Sequence, residues 1–171
     1  RSRKPSRQPV RRLHAGPKLP ARSLLLGLNG ATFIEHDNNR MARLLLLNGP
    51  NLNLLGTREP GLYGADTLDV IVQRCTRLAA DLGHELRAVQ SNAEHELVNE
   101  VQATRTSGVA FMILNPGAFT HTSVALHDCI KAMPFPVVEV HMSNIHARES
   151  FRHHSMIAAA CASGVSALAS L

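Results

Sequence analysis

Polar side chains able to do chemistry gather in three stretches of this sequence, each directly after an apolar run. Leu44-Leu45-Leu46-Leu47 leads into Asn48-Gly49-Pro50-Asn51, and the long Gly- and Asn-rich loop beyond carries Arg58 and, five residues on, Tyr63, the only tyrosine in the chain. Val109 to Leu114 leads into Asn115, followed by Pro116-Gly117-Ala118-Phe119-Thr120-His121-Thr122-Ser123. Val137-Val138-Glu139-Val140 leads into His141-Met142-Ser143-Asn144, with His146, Arg148 and Arg152 further along. Gathered in one pocket, these amides, hydroxyls, imidazoles and guanidinium groups suit a small hydroxylated anion. Backbone amides at a helix start near Thr122 and Ser123 add to the preference for negative charge. Taken singly the residues say little: a lone loop tyrosine is usually a surface or packing residue, a lone histidine usually a satisfied polar group. Arg148 and Arg152, four apart, also fit a solvated helix face. Their joint position after apolar runs is the signal.

The three stretches form one site only if the runs are parallel strands, whose carboxyl ends lie along one sheet edge where α/β folds bind ligands. The pattern predicts that arrangement. Asp66-Thr67 offers an N-cap to a helix with Leu68, Ile71, Val72, Cys75, Leu78, Ala79 and Leu82 at helical spacing, stopped by Gly83. A short strand follows over Glu85 to Gln90. Ser91 and Glu94 have capping-box spacing before a helix with Leu97, Val98 and Val101 on one face, ending by Gly108. The continuous apolar run Val109 to Leu114 reads as a strand buried on both faces. Thr122 or Ser123 opens a helix through Ile130, Phe135 to Val140 gives a fourth strand, and Val165 to Leu168 a fifth. Strands alternating with helices imply βαβ units and an α/β three-layer sandwich.

Composition narrows the function classes. The 171 residues make one ordinary domain. The formal charge of +5 divides unevenly, with a net +7 over residues 1–40 and −2 over the remainder. The first 40 residues, basic and broken by Pro5, Pro9, Pro17 and Pro20, read as a disordered N-terminal extension ahead of a domain over 41–171. Met41 is the expected natural start. With no Trp and one Tyr the chain lacks the rings of a base-stacking surface, so nucleic acid is not an expected partner; a basic-tail interaction would show steep salt dependence. Cys75, Cys129 and Cys161 form no C-x-x-C pair and read as thiols in a reducing cytoplasm. No apolar run approaches the ~20 residues of a membrane span. Neither a G-x-x-x-x-G-K-[ST] nor a G-x-G-x-x-G phosphate cradle occurs, nor an H-E-x-x-H metal pair, so no cofactor and no metal are expected.

The motifs Leu47-Asn48-Gly49-Pro50-Asn51-Leu52-Asn53-Leu54-Leu55-Gly56, Arg58-Glu59-Pro60, Tyr63-Gly64, Gln90-Ser91-Asn92, Asn115 to Ser123, Glu139-Val140-His141 and Arg148-Glu149-x-Phe151-Arg152-His153-His154-Ser155 together resemble type II 3-dehydroquinate dehydratases. The resemblance runs in order from Met41 to about Ser155. It implies a flavodoxin-like fold with a five-stranded parallel sheet. It also implies trimers assembled into a dodecamer, and cofactor-free dehydration of 3-dehydroquinate to 3-dehydroshikimate in the shikimate pathway.

Carried over by residue, the resemblance makes Tyr63 the base, with Arg58 lowering its pKa. His141, with Glu139, becomes the acid, and Asn51 helps hold the enolate through a water. Asn115, His121, Met142, Ser143 and Arg152 become substrate-binding residues, and Asp128 reaches a neighbouring subunit's site. The base assignment is physically sound. A free phenol titrates near ~10, and a guanidinium ~4 Å away at an effective dielectric of ~20 favours phenolate by about 4 kcal/mol, or three pKa units before screening.

Departures from the family pattern are His127, where arginine is common, and the alanine-rich stretch Ala158 to Gly164 with no final helix after the last strand. A domain so shortened is expected to leave one sheet face wet, at ~1.5–3 kcal/mol per leucine-sized side chain. The alternatives are a lyase for another hydroxy acid, told apart by substrate profile, and a catalytically silent flavodoxin-like module that binds shikimate-like anions without turnover.

Overall fold

The computed structural model describes residues 41–57 and 65–165. The basic extension over 1–40, Arg58, Tyr63 and the predicted strand residues beyond Val165 lie outside them.

Five parallel strands form one sheet: β1 (Arg43–Asn48), β2 (Glu85–Gln90), β3 (Val109–Asn115), β4 (Val137–Val140) and β5 (Ser163–Val165), in the order β2-β1-β3-β4-β5. This is the flavodoxin-like order, in which the direction of winding reverses between β1 and β3. Three helices connect the strands: α1 (Leu68–Asp81), α2 (Glu94–Thr104) and α3 (Val124–Lys131).

Two helix starts follow directly from local chemistry. Thr67 caps α1, its hydroxyl accepting from the Val70 amide at 3.3 Å, and Ser123 caps α3, accepting from Leu126 at 2.9 Å. Gly83 ends the first of these helices at φ 80°, a left-handed turn that glycine adopts without steric cost. Removing the α1 cap in Thr67→Ala is expected to cost about 1 kcal/mol in urea unfolding; an unchanged midpoint would show that the cap carries no stability.

The capping box expected at Ser91 does not form. α2 starts at Glu94, so its N-cap is Ala93, and Ser91 lies outside the helix. The Ser91 hydroxyl accepts from the Ala93 amide at 2.9 Å and donates to Glu96 in place of Glu94. The fourth strand is shorter than expected, beginning after Pro136. The fifth begins earlier, at Ser163, because pairing with Val138, Glu139 and Val140 requires Ser163, Gly164 and Val165.

Side chains alternate across the sheet, and its two faces are unequally covered. Leu45, Leu47, Met112, Leu114 and Val137 face α2 and α3, where they are buried with Leu97, Val101, Leu126, Cys129, Ile130 and Ile157. On the opposite face Leu44, Leu86, Ala88, Phe111, Ile113 and Val138 are only half-buried. Among the described residues this face is covered by α1, which packs on the edge strand β2 and buries only Ala79 fully. Leu78 and Leu82 of its apolar stripe, including the residue after its last turn, remain exposed.

Candidate active site

The loops after β1 and β3 meet at the reversal of strand order, and their backbones pass each other in near contact. The Gly49 amide donates to the Asn115 carbonyl at 2.7 Å. A Cβ on Gly49 would lie 2.2 Å from the Pro116 oxygen, so only glycine fits. Beyond this crossing Asn51 adopts φ 65°, a left-handed conformation that asparagine tolerates better than most residues. Its amide donates to the side-chain oxygen of Asn92 at 2.9 Å, and the Gln90 side chain holds both that oxygen and the Gly49 carbonyl. The Gln90-Ser91-Asn92 segment thereby fixes the loop that carries Asn51.

Alternation along β4 produces the central pair. Leu114 pairs with Glu139 across β3 and β4, so the carboxylate lies on the same face as the buried core, and His141, two residues on, shares that face. Glu139 is 2% exposed and His141 7%. His141 Nε2 lies 2.8 Å from Glu139 Oε1, Thr120 donates to the same oxygen, and the Ser155 hydroxyl lies 3.0 Å from each carboxylate oxygen.

Burial raises the Glu139 carboxyl, but the hydrogen bonds from His141 and Thr120, the imidazole charge and the Ser155 hydroxyl outweigh it and hold the group below its ordinary value of 4.5. The ionised carboxylate only accepts hydrogen bonds, so the His141 hydrogen facing it is on Nε2. The depressed pKa contributes stability that is present above pH 4.5 and is lost as the pH falls through the folded-state value. Urea unfolding between about pH 3 and 7 should therefore show a steeper acid loss in the parent chain than in Glu139→Gln. Equal slopes would show that this carboxyl is not linked to folding.

Cations close the other side. Arg148 is 14% exposed at its side chain and donates to the Ser143 hydroxyl at 3.3 Å. Arg152 is 2.9 Å from the Glu149 carboxylate and stacks 5.0 Å from the Phe151 ring centroid. Glu149 is held below its ordinary value by its own backbone amide, against desolvation, with help from Arg148 and Arg152. Arg148 is the extended residue after one single 3-10 turn, Ile145–Ala147, and Arg152 ends the next, Ser150–Arg152, so the two do not share a continuous helix face.

A cleft of about 130 Å³ is lined by Asn51, Asn115, His121, His141, Met142, Ser143 and Arg152 among the residues expected from sequence. Glu139 lies behind His141. Asp128 is elsewhere, exposed on α3 beside Arg105 and Gln102 of another groove. His121 is anchored at 2.8 Å to the His154 carbonyl. Arg148, gathered with the pocket guanidinium groups in the sequence but given no role, also lines the cleft, and two contributors had no individual role assigned from sequence: Thr120 and Ser155, which hold Glu139. Their signal was present in the Asn115 to Ser123 and Arg148 to Ser155 motifs, but hydroxyls behind a histidine have no spacing signature of their own.

The rest of the site chemistry is limited. Burial, and then the Glu139 charge, push the Cys161 thiol up to about 11, so it is not a thiolate nucleophile at neutral pH. Among the described residues no three His, Cys, Asp or Glu side chains cluster to hold a metal, and no helix is long and apolar enough to cross a membrane.

Comparison with known proteins agrees with this arrangement. A family model described as dehydroquinase class II matches residues 42–170. The 3-dehydroquinate dehydratase 1 of Pseudomonas aeruginosa is 60% identical over 115 residues, covering 67% of this chain and 78% of that protein. The 3-dehydroquinate dehydratase of Xylella fastidiosa strain M23 is 59% identical over 118 residues, covering 69% and 80%. The crystal structure of type II dehydroquinase from Butyrivibrio crossotus superposes with a TM-score of 0.73 at 33% identity, covering 74% of this chain and 89% of that one. With the family model matching residues 42–170 and these relatives 59–60% identical over two thirds of the chain, the chain belongs to the class II dehydroquinase family.

Proposed function

We propose that this chain is a lyase of the shikimate pathway, dehydrating 3-dehydroquinate to 3-dehydroshikimate through an enolate. The observation that carries this reading is the buried Glu139–His141 pair at the head of a cleft lined by amides, hydroxyls and two arginines, in a member of this family.

In this reading Tyr63, activated by Arg58, removes a proton from the carbon beside the ketone, and the electron pair moves onto the ketone oxygen. Asn51 holds that enolate through a water. As the enolate collapses, the carbon–hydroxyl bond breaks, His141 supplies a proton, and water leaves with a conjugated ketone as co-product. Glu139 accepts from Nε2–H of the imidazolium, and the proton delivered to the departing hydroxyl is the second one, carried on Nδ1; the imidazole is left neutral with its hydrogen on Nε2. Asn115, His121, Ser143 and the Met142 backbone hold the ring hydroxyls, and Arg152 pairs with the substrate carboxylate, where two guanidinium groups favour an anion. Asp128 serves a neighbouring subunit's cleft in a trimer, the unit of a dodecamer working in the cytoplasm.

The test is turnover of 3-dehydroquinate by the purified chain, followed by the ultraviolet absorbance of the conjugated product. Product formation is expected. A folded chain that binds the substrate and releases no product would establish the silent binding module in its place.

A further inference from the structure

The carboxylate of Glu139 collects more donors than orienting one imidazole requires, and two of them are hydroxyls that do not line the cleft. We propose that Thr120 and Ser155 are positioning residues for His141, acting through Glu139 to keep Nε2–H on the carboxylate and thereby Nδ1 as the nitrogen that carries and delivers the second proton. This rests on the assignment of His141 as proton donor.

Counting hydrogens fixes the direction of every bond. Ser155 Oγ accepts from the Ala158 amide at 2.9 Å and the Ile157 amide at 3.2 Å, which occupies both lone pairs. Its single hydrogen points to Glu139, 3.0 Å from each carboxylate oxygen. Thr120 Oγ1 lies 3.0 Å from Ser155 Oγ, but that oxygen has no acceptor capacity left, so the Thr120 hydrogen also goes to Glu139. With two hydroxyls and the imidazole all donating, the carboxyl is never the donor. His141 keeps a hydrogen on Nε2 throughout, and the proton it can deliver is the second one, on Nδ1 of the imidazolium. Without either hydroxyl the carboxyl can rotate or take up a proton, Nε2–H loses its fixed acceptor and the imidazolium no longer holds its Nδ1 proton toward the leaving group; in the neutral imidazole the same loss makes the opposite tautomer accessible. The titratable groups beside Glu139 among the described residues are His141, just after β4, and Cys161 ahead of β5, and the latter stays an uncharged thiol.

Thr120 is fully buried, and its backbone carbonyl accepts from the Met156 amide at 2.7 Å, a contact that Thr120→Val leaves in place. Thr120→Val is therefore the clean variant. Ser155→Ala also loosens the turn over 155–158, and Ser155→Thr keeps the hydroxyl.

The experiment measures kcat and KM for Thr120→Val, Ser155→Ala and Ser155→Thr, for Thr120→Val in a Glu139→Gln background, and the imidazole ¹⁵N shifts of His141. Loss of one hydrogen bond to a charged group predicts kcat lower by roughly 10- to 100-fold in Thr120→Val, with KM within about threefold. Recovery of most of the Ser155→Ala loss is expected in Ser155→Thr, and less than a twofold effect of Thr120→Val once Glu139 is Gln. The ¹⁵N shifts of the neutral imidazole, the form left after proton delivery, should report Nε2–H in the parent and a mixture of tautomers in Thr120→Val. Equal kcat losses in both backgrounds, or an unchanged tautomer, would overturn the inference. Full activity in His141→Ala would instead overturn the donor assignment, while the tautomer result still decides whether the hydroxyls act through Glu139.

Discussion

His141→Ala is expected to lower kcat for 3-dehydroquinate by about 10²–10⁴-fold, the usual contribution of a positioned general acid, while leaving KM within about tenfold. The asymmetry comes from the site. Asn115, His121, Ser143 and Arg152 line the cleft independently of the imidazole, so substrate binding survives. Departure of hydroxide without a proton is the step that suffers. The fold should also survive, because Glu139 keeps its two hydroxyl donors when the imidazole is removed. Thermal unfolding should accompany the assay. Tyr63→Phe makes the complementary test, since it removes the base and leaves the acid. Exchange of the substrate's acidic proton with solvent should continue in His141→Ala and stop in Tyr63→Phe. Turnover in His141→Ala within tenfold of the parent would exclude this residue as the acid.

Gly49→Ala is expected to be the most damaging substitution outside the chemical groups, at or above the upper end of the ~1–3 kcal/mol typical of overpacking. A new Cβ would sit 2.2 Å from the Pro116 oxygen and 2.5 Å from its carbonyl carbon, both rigid backbone. The loops cannot simply part. The Gly49 amide is bonded to the Asn115 carbonyl, and Gly117, at φ 58°, packs against Pro50, where a Cβ would lie 3.0 Å from the carbonyl oxygen. Relief would require displacing Asn51 or Asn115, so activity should fall along with stability. Gly83→Ala separates crowding from backbone conformation. Gly83 has φ 80° with no atom within 4 Å of a new Cβ, so its cost should stay near the ~1–2 kcal/mol of a left-handed residue. Urea unfolding of both variants checks this, and a Gly49→Ala midpoint no lower than that of Gly83→Ala would show that the loop crossing yields.

Legibility followed the range of the interaction. Thr67 and Ser123 were readable as caps because a cap needs only its own next three residues. β1, β2 and β3 were readable because apolar runs bounded by polar and glycine residues leave few alternatives. Ser91 misled: its hydroxyl serves the turn before α2, and which glutamate it meets depends on where that helix begins in space. The start of the fifth strand was missed because Ser163-Gly164 carries no hydrophobic pattern, and its position is set by register against β4. Arg148 and Arg152 looked like a helical pair because their spacing permits it, but Asn144 and Glu149 begin separate turns that direct both into the cleft.

By itself the sequence determined the alternation of strands and helices, the three polar strand ends and the family motifs, because each is written in neighbouring residues. Tertiary structure alone decided that Gly49 must be glycine, that Thr120 and Ser155 hold Glu139, and that Asp128 stands apart from the cleft its own chain forms. Those facts join residues far apart in the chain, and such distances are set only when the sheet register and the loop crossing are in place.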